Sequence, residues 1–178
     1  MLAAVDLFAE KGYDATTVTE IAERAGVTKS TFFRHFPDKR ELLVAGQAAL
    51  STLLSQGIAE APDGATPLEA VGAGLDRAAS MMGPMNRELA PRLAAAVAAN
   101  VELQERDALK SVGLAVAMTE ALIARNVPEM SARLAAELGV LAFKRGFDRW
   151  VAEGDGSELA PRISEALTGL RAAAASLG

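Results

Sequence analysis

The 178-residue chain has no cysteine and only one histidine (His35), one tryptophan (Trp150) and one tyrosine (Tyr13). No disulfide can form, and no thiolate can hold a metal or attack a substrate. A zinc site would need several carboxylates around a single imidazole, so no metal is expected. Aromatic residues are absent between residues 37 and 142. Any pocket built from that stretch has walls of Leu, Val, Ala, Ile and Met. No alternating β-branched run occurs, so the usual strand signal is missing. There is no Gly-rich phosphate loop, and the carboxylates lie scattered along helical faces. These gaps leave nothing on which to build a catalytic site, and a non-enzyme without a cofactor is expected. Asp6 and Glu10 interrupt the first apolar segment, which argues against a secretory signal. Residues 42–59 carry no charge, but Gln47, Ser51, Thr52, Ser55 and Gln56 favour a soluble helix over a membrane span. No membrane partner and a cytoplasmic location are expected.

What is present favours helix. Hydrophobic residues make up 51% of the chain, much of it alanine, and Ala with Leu, Glu and Arg is strongly helix-forming. The fold class expected is all-α. Pro and Gly punctuate the chain into about nine helices. Three lie before Pro37 and around the following turn, and a fourth runs from Lys39 to about residue 60. A fifth restarts at Thr66-Pro67 with Pro at its first position and ends at Gly83-Pro84. The remaining helices are expected at about 85–100, 102–125, 128–152 and 158–175, with Pro91 disturbing the first of these.

The densest information lies in TTVTEIAERAGVTKSTFFRHFPDKREL, residues 16–42. Thr17 and Glu20 have capping-box spacing, which starts a helix near Val18. Val18, Ile21, Ala22 and Ala25 make one apolar stripe, and Gly26 can end the helix with a positive φ. Thr28 can cap the next helix through its hydroxyl. Val27, Phe32 and Phe36 can turn toward a core, leaving Lys29, Ser30, Thr31 and Arg34 outward. Pro37 stops the helix, and Asp38 with Glu41 spaces another cap. Two short helices with a tight turn are the layout of a helix-turn-helix, whose second helix enters the DNA major groove. Between residues 24 and 40 there are five cations (Arg24, Lys29, Arg34, Lys39, Arg40) and one acid (Asp38), in a chain of net charge −5. Such a local basic patch can meet phosphate while the acidic body discourages indiscriminate adhesion. Lys29 can donate to guanine acceptors. Ser30 and Thr31 can serve either groove partner, and Thr31 adds a methyl for thymine.

The stretch LFAEKGYDATTVTEIAERAGVTKSTFFRHFPDKRELL resembles the DNA-binding domain of the TetR family of transcriptional regulators. The LF-x-x-KGY turn, the TT-x-x-IA-x-x-AGV helix and the F-x-HF-P-x-K block carry the resemblance. It implies that Thr17 holds phosphate at the first motif helix. Thr28, Lys29, Ser30 and Thr31 would stand at the groove-facing start of the recognition helix. Arg34, His35 and Lys39 would contact backbone phosphate, Lys39 aided by the dipole of the next helix. The family often has Tyr where this chain has Phe33. Phe33 lacks the hydroxyl donor, leaving packing against sugar or a thymine methyl. Family members also carry a longer, often basic arm before the first helix. Here MLAAVDLF opens directly with Leu2, Val5 and Phe8 in helical register, and DNA affinity is expected to be weaker if an arm is missing.

The resemblance also implies an organisation: a helix-turn-helix domain at 1–44, and a ligand-binding and dimerisation domain at 45–178. The fourth helix is shared between them. The function implied is a homodimeric repressor on a palindromic double-stranded operator, released by a small apolar effector. Phe143, Phe147 and Trp150 make a stripe on the penultimate helix, and Leu159, Ile163, Leu167 and Leu170 make one on the last. In the family these two helices pair with their counterparts, so the stripes are candidate dimer-interface residues. The other reading is that both face the protomer's own core. Met81, Met82, Met85 and Met118 are candidate effector contacts, against the simpler reading that they fill core gaps. The W-x-x-x-G pattern of Trp150 and Gly154 is similar to a TetR subgroup thought to sense acyl-CoA-like molecules, which leans the effector toward a lipid-like ligand. A competing function is a helical small-molecule binder whose DNA motif is weakened or lost, with Phe33 and the short start in its favour.

Overall fold

The structure, a computed structural model, describes residues 2–42, 47–81, 84–153 and 158–177, without the side chains of 84–88. Among the described residues there are nine α-helices and no strand. They are α1 (Leu2–Lys11), α2 (Val18–Arg24), α3 (Lys29–His35), α4 (Gln47–Ala59), α5 (Pro67–Ser80), α6 (Pro84–Ala99), α7 (Val101–Ala124), α8 (Glu129–Glu153) and α9 (Leu159–Ala175). A short 3-10 turn spans Lys39–Leu42. The all-α expectation therefore holds, and most helix boundaries fall within a residue or two of those read from Pro, Gly and cap positions. The expected continuity of the fourth helix from Lys39 to about residue 60 falls on residues 43–46, which lie outside the described residues.

The chain forms two compact units. One contains Met1–Ala45 and Pro84–Lys110; the other contains Gly46–Gly83 and Ser111–Gly178. This grouping differs from a division at 44/45, because α6 and the start of α7 complete the core of the first unit. Ala4, Leu7, Phe8, Tyr13, Ile21, Ala22, Phe32 and Leu42 form that core together with Leu103, which is fully buried. Leu93, Ala96 and Val97 of α6 pack against it. Polar ties secure the same packing: Arg92 pairs with Asp6 at 2.5 Å and Arg106 with Glu41 at 2.9 Å. Three short helices offer little apolar surface to bury, and the added face of α6 and α7 supplies more.

In the second unit, α4 and α5 touch backbone to backbone. A Cβ on Gly57 would lie 2.7 Å from the Ala73 carbonyl oxygen, and one on Gly74 would lie 2.7 Å from the Leu54 carbonyl oxygen. Leu50, Leu54, Ile58, Val71 and Leu75 are buried around that contact. The uncharged stretch thus buries one face of α4 against α5. The N-terminus of α5 has the capping box read from sequence: Thr66 is the N-cap, Glu69 reaches back to it, and Pro67 follows the cap. Helix α8 buries Ala132, Ala135, Ala136 and Ala142, together with Gly139 and Gly146. These small residues let neighbours approach closely; Gly146 leaves room for Ile163 of α9. Past the end of α7, the Arg125 guanidinium donates to the carbonyls of Ala59, Ala61 and Pro62 at 3.0, 2.8 and 2.8 Å. It thereby satisfies the last carbonyl of α4 and ties down the loop that follows it.

Candidate nucleic-acid interface

Helix α2 begins as its sequence dictates. The Thr17 hydroxyl accepts from the Glu20 amide, and the Glu20 carboxylate accepts from the Thr17 amide at 2.9 Å and hydroxyl at 2.7 Å. A cap of this kind contributes about 1 kcal/mol. Lys11 also pairs with Glu20. Its hydrogen bond, followed by those from Thr17, pulls the Glu20 carboxyl down to about 2. Gly26 then takes φ +68°, where a Cβ would be strained, and the Val27 amide returns to the Ala22 carbonyl at 3.0 Å. This ends α2 and turns the chain into α3.

Helix α3 starts at the Thr28 cap, whose hydroxyl accepts from the Thr31 amide at 3.1 Å. Phe32 is buried among Ile21 and Ala22, which fixes the helix's rotation. Lys29, Ser30, Phe33, Arg34 and His35 are exposed, with Ser30 and Arg34 opposite Phe32 on the helix. Thr31 is only half-exposed, and its hydroxyl lies 2.9 Å from that of Thr28. Phe33 is 46% exposed, stands edge-on to Phe32, and has the Lys29 ammonium 5.9 Å from its ring centre.

The five cations divide by what they touch. Arg24 pairs with Glu10 at 2.5 Å, and Arg40 with Asp38 at 2.6 Å. The Arg40 guanidinium, with the amides of Arg40 and Glu41, holds the Asp38 carboxyl below its usual range. Lys39 donates to the carbonyls of Tyr13 (2.6 Å) and Thr16 (2.9 Å), with Asp14 at 3.4 Å. Among the described residues, Lys29 and Arg34 have no ion-pair partner. The charge presented outward thus sits on α3 itself. Two of the residues expected to meet phosphate already have partners within the chain. Lys39 faces the turn between α1 and α2 and opens a four-residue 3-10 turn, so its ammonium is engaged before any phosphate arrives. Thr17 is exposed, but both of its donors point at Glu20, so a phosphate there would meet a carboxylate already in place. The Lys39 engagement was not visible from spacing, whereas the capping-box spacing did mark the Thr17–Glu20 pair.

Residues 1–45 match the family described as bacterial regulatory proteins, tetR family. The match spans 45 of the 178 residues and covers the helix-turn-helix segment. Over 68 residues it is 38% identical to the HTH-type transcriptional regulator TcmR of Streptomyces glaucescens, a match covering 38% of this chain and 30% of that relative. The chain thus matches less than a third of that relative's length. Two solved structures resemble nearly the whole chain in fold. The FadR repressor of Thermus thermophilus, solved with lauroyl-CoA, is 21% identical with a TM-score of 0.55, covering 94% of this chain and 89% of that one. NalD of Pseudomonas aeruginosa, a secondary repressor of an efflux pump, is 22% identical with a TM-score of 0.58, covering 94% and 91%.

In this all-helical fold the remaining expected sites lie in varied surroundings. Trp150, Leu159 and Ile163 are buried within the second unit by the packing of α8 on α9, at 6, 4 and 1% exposure. Ile163 lies against Gly146 of α8, and Leu167 reaches Gly72 of α5. Phe143, Phe147, Leu167 and Leu170 are half-buried. Phe143 and Phe147 stack at 6.1 Å. The Met candidates are not brought together. Met118 is in the core beside Gly139, whereas Met81 is 66% exposed at the end of α5. Met82, the side chain of Met85, and Gly154 lie outside the described residues.

Proposed function

We propose that this chain is a sequence-specific, DNA-binding transcriptional regulator that acts as a homodimeric repressor on a palindromic operator. The observation that carries the reading is the exposed surface of α3, where Lys29 and Arg34 stand beside Ser30 and Phe33 with no ion-pair partner among the described residues. Arg34 and His35 supply phosphate contacts, which set position. Lys29 and Ser30 reach base edges, which set choice. Residues 1–44 read DNA, while residues 45–178 bind the effector and pair the subunits. The half-buried Phe143, Phe147, Leu167 and Leu170 offer apolar surface for that pairing. A two-fold pair presents two copies of α3 to two half-sites, as a palindrome requires. The effector is a small apolar molecule of acyl-CoA-like character, by analogy with the lauroyl-CoA complex of the Thermus fold relative. Work on an operator places the protein in the cytoplasm.

The test is selection of bound duplexes from random DNA by the full chain, followed by binding at several salt concentrations. A recovered inverted repeat, bound in the presence of excess nonspecific DNA and more weakly as salt rises, is expected. Failure to enrich any sequence would overturn the reading. Release of the enriched duplex by a long-chain acyl-CoA, but not by free CoA, is the expected effector result.

A further inference from the structure

We propose that Phe33 reads the 5-methyl group of a thymine in each half-site, beside the base taken by Lys29. This deepens the DNA-binding reading and rests on it. Phe33 and Lys29 are one helical turn apart on the exposed face of α3, with the ammonium 5.9 Å from the ring centre. The buried ring of Phe32 backs Phe33 edge-on at 5.7 Å and 88°, which limits where the outer ring can go. An aromatic ring held outward at 46% exposure has no donor or acceptor for a phosphate or a polar base edge. The major-groove edges of the four bases offer one apolar group, the thymine methyl, and phenylalanine is suited to it. Thr31, which carries the methyl group of this helix, is half-exposed and engaged with Thr28. Four residues of helix rise roughly 6 Å, under two base steps when the helix follows the groove. The pair therefore selects a guanine and a thymine close together, Lys29 donating to the guanine and Phe33 covering the methyl.

The experiment uses the full chain and the duplex enriched from random DNA. Each thymine of one half-site is replaced in turn by deoxyuridine, which removes only the methyl. One thymine is expected at which replacement weakens binding about fourfold, the worth of one buried methyl group. The Phe33→Ala variant, confirmed as folded by its helical circular dichroism, should bind the thymine and uracil duplexes equally. The Lys29→Ala variant should keep the methyl effect while losing preference for the neighbouring guanine. Uracil tolerated at every position, or a methyl effect that persists in Phe33→Ala, overturns the assignment while leaving DNA binding intact. If no duplex is enriched at all, this inference and the regulator reading fail together.

Discussion

The ammonium of Lys39 lies 4.1 Å from the centre of the Tyr13 ring and donates to the Tyr13 carbonyl at 2.6 Å. One cation thus ties the turn between α1 and α2 to the short 3-10 turn that follows α3. The DNA-facing helices lie between these two anchors. Their mutual geometry depends on a contact that spans 26 residues of sequence.

Replacing Lys39 by Met keeps the aliphatic stem but removes the donor. The carbonyls of Tyr13 and Thr16 then lose a charged partner, and a loss of about 1 to 3 kcal/mol is expected. Urea unfolding followed by the tyrosine signal measures it. An unchanged midpoint combined with weaker DNA binding would instead make Lys39 a phosphate contact.

Tyr13 itself gives a pH prediction. Its hydroxyl is buried and makes no hydrogen bond among the described residues, and burial, with the charge of Glu102 next, pushes its ionisation up to about 12 from 10.0. The folded state resists ionisation that the unfolded state accepts. The stabilising contribution is therefore complete below pH 10 and is lost as pH rises from 10 toward 12. Because Tyr13 is the chain's single tyrosine, phenolate absorbance reports it alone. The folded chain should titrate near 12, and the chain in denaturant near 10. A folded midpoint near 10 would show that water reaches the hydroxyl. Tyr13→Phe removes an unsatisfied group and should be neutral or stabilising.

The local parts of this architecture could be read from sequence because they depend on residues three or four apart. The Thr17–Glu20 and Thr66–Glu69 capping boxes, Pro67 after its cap and the turn at Gly26 each involve only near neighbours. The same proximity makes the α3 cap and its exposed face readable, since Phe32 must turn inward. Partner choice was not readable. The stripe through Trp150 and the stripe through Ile163 announce burial, but periodicity does not say whether the covering surface is another helix of the chain or a second subunit. Likewise, nothing near Leu103 shows that it completes the core formed by α1, α2 and α3. Met81 and Met118 are the same residue type at opposite extremes of exposure, because apolar character alone does not fix position. Charge has the same limit: five cations can be counted, but which of them are already engaged is decided by folding.

The glycine contact between α4 and α5 predicts a cost for a single methyl. At Gly57, a Cβ would lie 2.7 Å from both the Ala73 carbonyl oxygen and the Gly74 Cα, and neither is a side chain that can rotate away. Gly57→Ala must push the helices apart. A loss of about 1 to 3 kcal/mol is expected, despite alanine's better helix propensity. Unfolding followed by the fluorescence of Trp150, the sole tryptophan, reads the affected unit. Gly169→Ala is the control, because its Cβ would meet nothing within 4 Å and the variant should gain slightly. Equal effects at the two sites would contradict the close approach.

The division of the cations into engaged and presented ones can be tested by salt dependence. A lysine or arginine that neutralises a phosphate releases counterions, so its removal flattens the salt dependence of binding by about one unit of slope. Arg34 is exposed with no ion-pair partner among the described residues, so Arg34→Ala should weaken binding to all duplexes alike and lower the slope by that amount. Arg24 already neutralises Glu10 at 2.5 Å, so Arg24→Ala should leave the slope nearly unchanged. Lys29→Ala should act differently from both. If its main contact is a base edge, the preferred site becomes less selective, and a mismatch at that position costs less than in the unaltered chain. Because all three side chains carry the same charge, net charge alone would make the three variants equivalent. Equal slopes and equal selectivity across them would mean that DNA senses only total charge, and the assignment of reading and anchoring roles along α3 would fail.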